Sequence, residues 1–98
     1  MSLSQFHERF HKVNGKIDGL RESFYENGKV ENKSYWKDGI QNGKSKTYNH
    51  NGDLIRESDL ENGEYIGVTK EFYPNNKLRL EIYVNDNKYV VYSFDISS

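Results

Sequence analysis

The residues nearest the start of the chain hold the spacing most suggestive of catalysis. His7-Glu8-Arg9-Phe10-His11 reads H-E-x-x-H. On a helix, positions i and i+4 share a face, so His7 and His11 could bind one Zn²⁺ while Glu8 served as general base of a zinc hydrolase. Ser4 could cap such a helix, and Phe6, Phe10 and Val13 have helical spacing. On a strand the two histidines would lie ~13 Å apart and could not share a metal. The repeat register described below predicts strand. The reading is therefore a chance match, with no catalytic, cofactor-binding or metal residues and no cofactor expected.

A second set of candidates is aromatic. Tyr25, Tyr35, Trp36, Tyr48, Tyr73 and Tyr83 recur at related positions. They suit cross-strand pairing that stabilises a sheet, and equally a surface for stacking or binding a partner. Other polar groups point to no chemistry. Arg21-Glu22, Lys44, Lys46, Arg56-Glu57 and Lys70-Glu71 interleave charges in the manner of cross-strand ion pairs, and His50 falls in a turn. Asp18, Asp38, Asp53 and Asp86 are too scattered for a calcium loop and suit turns instead.

The elements that must position these residues follow from a period. Gly15, Gly39 and Gly63 are 24 residues apart, as are Gly19, Gly43 and Gly67, and Phe24, Tyr48 and Phe72. Val30, Leu54 and Leu78 keep the same step, as do Asn27, Asn51 and Asn75. Such a unit buries its apolar face by stacking on its neighbours. The register divides the chain into a half repeat at 5–13, repeats at 14–37, 38–61 and 62–85, and a partial repeat at 86–96. Phe6 falls on the Val30 position and His11 on the Tyr35 position. Half repeats at both ends lead us to expect a longer parent chain.

Each unit is predicted to be a β-hairpin. Asn27-Gly28 and Asn51-Gly52 lie between alternating segments and favour a two-residue type I′ turn, with Asn75-Asn76 in the third copy. Pro74 just before that turn is tolerated where a strand ends. Strands are expected near 5–12, 19–26, 29–36, 43–49, 54–60, 67–73, 78–84 and 89–96. A two-residue turn would set Tyr25 opposite Val30 and Phe24 opposite Glu31. Tyr25, Val30, Trp36, Leu54, Leu60, Tyr73, Leu78, Leu80, Ile82 and Val84 would then share one face, and Leu20, Phe24, Tyr35, Tyr48, Ile55, Val68, Phe72 and Tyr83 the other. Neither face is cleanly polar. The fold class is all-β, a single-layer antiparallel meander of stacked hairpins.

Composition agrees. The 98 residues are 34% hydrophobic, with eight Tyr and five Phe but few aliphatics, which suits a thin sheet better than a thick core. Cysteine is absent, so disulfides and thiolate metal sites are excluded. A net charge of −1 provides no basic field for nucleic acid or anionic lipid. No apolar run approaches the roughly 20 residues of a membrane span, and Met1 to Lys16 lack the continuous apolar stretch of a signal peptide. The expected location is cytoplasmic by default, or exported if the parent chain carries a signal.

The pattern Gly-x-x-x-Gly, aromatic pair, Asn-Gly, aliphatic resembles the MORN-repeat variant of bacterial YwqK-type proteins. Gly15 to Gly19 with Phe24 to Val30, and Asn42 to Leu54, carry the resemblance. Asn49 replaces the second aromatic, Asp59 a Tyr and Asn87 a Gly. The resemblance implies an elongated, twisted sheet of hairpins and a non-enzymatic binding or scaffolding module, of a kind labelled antitoxin-like. The expected partner is another protein, held at the sheet face or at a terminal strand. The same surfaces would serve a homo-oligomer. A cell-envelope or membrane-associated structural repeat is the alternative.

Overall fold

The computed structural model describes residues 7–85 and 88–94, with residue 85 described through its backbone only. It contains β1 (Glu8–Arg9), β2 (Lys12–Val13), β3 (Lys16–Ile17), β4 (Gly19–Phe24), β5 (Val30–Lys37), β6 (Ile40–Gln41), β7 (Gly43–Tyr48), β8 (Leu54–Glu61), β9 (Glu64–Phe72), β10 (Leu78–Asn85) and β11 (Lys88–Ser93). The main sheet runs β1-β4-β5-β7-β8-β9-β10-β11, with β6 paired to β5, while β2 and β3 form a small separate hairpin. Every pairing is antiparallel. The extents are 47 × 34 × 14 Å, so the molecule is one sheet and its side chains thick.

The all-β, single-layer meander expected from the sequence is what forms. Strand bodies follow the predicted register: Ser23 faces Asn32, Leu20 faces Tyr35 and Gly19 faces Trp36. The predicted strand at 5–12 is instead broken, with β1 and β2 separated by Phe10 and His11. Residues 5, 6, 86, 87 and 95–98, which carry parts of the expected terminal half repeats, lie outside the described residues.

The turns differ from expectation, and the difference has a clear cause. The two-residue turns with consecutive positive φ sit at the opposite end of the hairpins. They are Asn14-Gly15 (φ 52° and 80°), Asp38-Gly39 (52° and 80°) and Asn62-Gly63 (51° and 82°). Both residues of a type I′ turn need positive φ, which Asn, Asp and Gly tolerate best.

At Asn27-Gly28 only the glycine takes positive φ. There Gly28 N–H donates to Tyr25 O and Tyr25 N–H to Lys29 O, both at 2.9 Å. That closes a three-residue loop, a type I turn ending in a left-handed residue. The loops at Asn49–Asp53 and Tyr73–Lys77 repeat it, the latter with Pro74 at the first central position and Asn76 at φ 69°.

The three-residue loop is followed in each unit by a bulge. Phe24 pairs with Val30 but Ser23 with Asn32, leaving Glu31 unpaired; Ile55 and Arg79 are its counterparts. A bulge shifts the alternation by one residue. Val30, Leu54 and Leu78 therefore change face, and lie opposite Phe24, Tyr48 and Phe72. The assignment that grouped them with Trp36 and Leu60 is corrected accordingly. The change gathers an aromatic–aliphatic pair from every unit into one apolar column. It also clears the other face of these aliphatic side chains.

Successive units are stitched at both ends. Gly39 N–H donates to Ile17 O and Gly63 N–H to Gln41 O, each at 2.8 Å. Asn62 N–H donates to Asn42 Oδ1 at 2.8 Å and Asp38 N–H to Asp18 Oδ2 at 3.3 Å. At the loop end Tyr25 O–H donates to Tyr48 O at 2.6 Å and Asn27 Nδ2 to His50 O at 3.0 Å. Burial is slight. Among the described residues Leu60 is the one buried apolar side chain, accompanied by Ser34, Ser58 and Thr69.

Candidate functional site

Directly paired residues share a face, so the register fixes two surfaces. One carries Leu20, Glu22, Phe24, Val30, Lys33, Tyr35, Lys46, Tyr48, Leu54, Glu57, Val68, Lys70, Phe72 and Tyr83. Its charges pair across strands, as in Lys44 with Asp59 at 3.2 Å, and Lys46 with Glu57 at 3.9 Å. Exposed pairs of this kind contribute little to stability.

The opposite face is polar through the first two units. Ser23, Asn32, Thr47 and Arg56 form one row, and Arg21, Ser34, Ser45 and Ser58 the next. These residues line a hollow of about 360 Å³, bounded by Trp36 and Tyr65. Small hydroxyl side chains, Ser23, Ser34, Ser45, Thr47 and Ser58, pave its floor. Trp36 Nε1 donates to Ser34 Oγ at 2.8 Å, and Asn32 Nδ2 donates to Thr47 Oγ1 at 3.0 Å and to Ser45 Oγ at 3.4 Å. The Ser58 and Thr69 hydroxyls bond to each other at 3.2 Å. Arg21 is fixed by Glu8, through Nη2 at 2.6 Å and Nε at 3.0 Å, and its guanidinium lies 5.5 Å from the Trp36 ring centre. Arg56 is held more loosely, 3.7 Å from a Glu71 carboxylate that Arg79 already engages at 2.7 Å.

In the third unit the same rows turn apolar, with Leu80, Ile82 and Val84 where the earlier units carry Asn32 or Arg56, Ser34 or Ser58, and Trp36 or Leu60. β11 continues this change through Val91 and Tyr89, which pair with Ile82 and Val84. Among the described residues it has one neighbouring strand, β10. All six of its residues are exposed, including Tyr89 (67%), Val91 (57%) and Tyr92 (55%). On the opposite face, the one that carries Tyr83, a second hollow of about 780 Å³ opens beside β11, lined by Val68, Tyr83, Val90, Tyr92 and Phe94 among others. Tyr83 and Tyr92 meet edge to face there, 5.6 Å apart. A hydrogen bond from the Tyr83 hydroxyl to Glu81 at 3.1 Å raises the phenol pKa above its ordinary value.

The six aromatics singled out in the sequence do not share one surface. Trp36 borders the polar hollow, while Tyr35, Tyr48 and Tyr83 belong to the opposite face. Tyr25 and Tyr73 close hairpin loops: Tyr25 stacks on His50 at 3.8 Å, and the Tyr73 hydroxyl lies 3.5 Å from Phe94 O. The hydroxyl floor and Arg56 were not recognised from the sequence. Their signal was the alternation of Ser, Thr and Asn with charged residues, which reads as ordinary solvent-facing strand. His7 and His11 flank a strand, not a helix turn, so the shared helical face that H-E-x-x-H chemistry requires does not form. Among the described residues no group of three or more His, Cys, Asp or Glu is placed to hold a metal.

The hairpin unit and its glycine turns define a repeat class. The model of the MORN repeat variant matches residues 17–38, 41–62 and 65–86, each match starting 24 residues after the last. The chain belongs to the MORN repeat variant family. MORN repeats are in general protein- or membrane-binding modules. No curated protein matches the chain.

Proposed function

We propose that this chain is a non-enzymatic protein-binding module that captures a partner protein at its C-terminal surface, in the manner of an antitoxin or immunity protein. The observation that carries the reading is β11, a strand with one neighbour among the described residues and exposed Tyr89, Val90, Val91 and Tyr92. Its outer N–H and C=O groups suit addition of a strand from another chain, which supplies affinity through main-chain bonds. The adjacent apolar hollow offers side-chain pockets and gives specificity. Exposed contiguous apolar surface of this kind marks interaction sites in soluble proteins.

The test is co-expression with the product of the neighbouring gene. Wild-type protein is expected to co-purify with that product, and the double variant Val91→Lys, Tyr92→Lys to lose it while keeping its β-sheet circular dichroism. Retained capture by the variant overturns the surface assignment. Absence of capture by wild-type protein overturns the antitoxin-like reading. Light scattering on the isolated chain distinguishes a self-associating edge from one that takes a different partner.

A further inference from the structure

We propose that the polar hollow on the Ser34–Ser58 face is a second, separate binding site, and that it takes an extended acidic peptide segment. The proposal rests on the protein-binding reading only in that the occupant is polypeptide; the surface is different.

The first argument is the sense of the hydrogen bonding. Ser34, Ser45 and Thr47 hydroxyl oxygens each accept a bond from a Trp36 or Asn32 N–H. A hydroxyl that has accepted still has its own proton to give. Ser58 and Thr69 use one proton between them and keep one. The floor is therefore rich in donors. No carboxylate side chain lines the hollow, whereas Arg21 and Arg56 both do. An acceptor-rich, anionic ligand matches this lining.

The second argument is preparation of the cations. Arg21 has its guanidinium plane set by Glu8 and Trp36 before any ligand arrives. The Arg56 guanidinium makes no hydrogen bond among the described residues, and the side chain is 43% exposed. Arg79 hydrogen-bonds Glu71 Oε1 at 2.7 Å, while Arg56 meets the other oxygen, Oε2, only at 3.7 Å, a loose ion pair that a ligand carboxylate at hydrogen-bond distance would displace.

The third argument is length. Arg21 on β4 and Arg56 on β8 are three strand spacings apart, ~14 Å across the sheet. Neutral hydroxyls fill the interval. A polypeptide running across the strands presents carbonyl oxygens at that interval and carboxylates at its ends. A compact anion reaches one guanidinium and leaves the rest of the floor unused. A volume of about 360 Å³ suits a few residues of such a segment.

Trp36 is the single tryptophan and borders the site, so its emission reports binding. The full chain is titrated with a blocked octapeptide of alternating Glu and Ser, with its Gln-for-Glu counterpart and with citrate. The expected result is a saturable change with the acidic peptide, at least tenfold weaker with the Gln peptide and with citrate, and reduced by added salt. Arg56→Gln is expected to weaken the acidic peptide at least tenfold, with Arg56→Lys intermediate and the melting temperature unchanged in both. Equal binding of the Gln peptide, equal binding of citrate, no saturable change, or an unaltered Arg56→Gln variant each overturns the proposal. Partner capture through β11 should survive Arg56→Gln, so loss of one site leaves the other standing.

Discussion

At the residue scale the tightest constraint is on Gly43. Its φ is +108°, and a Cβ there would meet the Cβ of Tyr35 at 3.2 Å. Gly19, its counterpart one unit earlier, has φ +95° with nothing within 4 Å. Gly19→Ala should therefore lower stability by about 1 kcal/mol from backbone strain alone, and Gly43→Ala by about 2 kcal/mol. Urea midpoints of the two variants check the order. Leu60 is the other sensitive position, 7% exposed and paired with Gly43 and Tyr65 on the neighbouring strands. Leu60→Ala is expected to destabilise by about 2–3 kcal/mol in the same measurement.

Tyr83 provides a residue-scale prediction in pH. Its hydroxyl donates to Glu81, and this bond, more than slight burial or the Glu81 charge, raises its pKa above the ordinary 10.0. The folded state thus binds its proton more tightly than the unfolded state. The resulting stabilisation is fully present below pH 10 and is lost as pH rises through the folded value. A phenolate absorbance titration of wild type minus Tyr83→Phe should show a group titrating above ordinary tyrosine. Glu81→Ala should bring it back down.

At the scale of the element, the turns explain what the sequence made legible and what it hid. The period and strand register were readable because aromatic and aliphatic residues recur at one step on alternating segments. The turn type was attached to the wrong pair. Asn27-Gly28 and Asn51-Gly52 invite a type I′ reading, but the third copy, Asn75-Asn76, already weakens it. Asn14-Gly15, Asp38-Gly39 and Asn62-Gly63 keep the left-handed pair in all three copies, and these are the two-residue turns. The bulges were not readable, because Glu31, Ile55 and Arg79 share no residue type. Their effect was large, since each moves an aliphatic to the opposite face and so opens the polar one. Asp38 is the one Asp in the three type I′ turns and donates its N–H to another aspartate, Asp18. Asp38→Asn should relieve that crowding of charge and stabilise by about 0.5 kcal/mol, read as a higher melting temperature.

At the scale of the whole molecule, the two surfaces divide the work along the sheet axis. The first two units keep the hydroxyl floor, while the third unit and β11 replace it with apolar residues. The polar hollow and the apolar edge are consequently different parts of one sheet. With one buried apolar side chain among the described residues, stability resides in hydrogen-bonded ladders and in the stitches between units. Hydrogen exchange should show graded protection, highest in β7 and β8 and falling toward β11. Uniform protection across the sheet would contradict this.

The stitches at Gly39 and Gly63 tie each unit only to the one before it. Length is thereby separable from shape. A gene that gained or lost one 24-residue segment in register would add or remove two strands, ~10 Å of sheet, without asking any remaining residue to find a new neighbour. Selection acting on such a chain can adjust its reach by copying, and reserve point substitution for the two surfaces that meet other molecules.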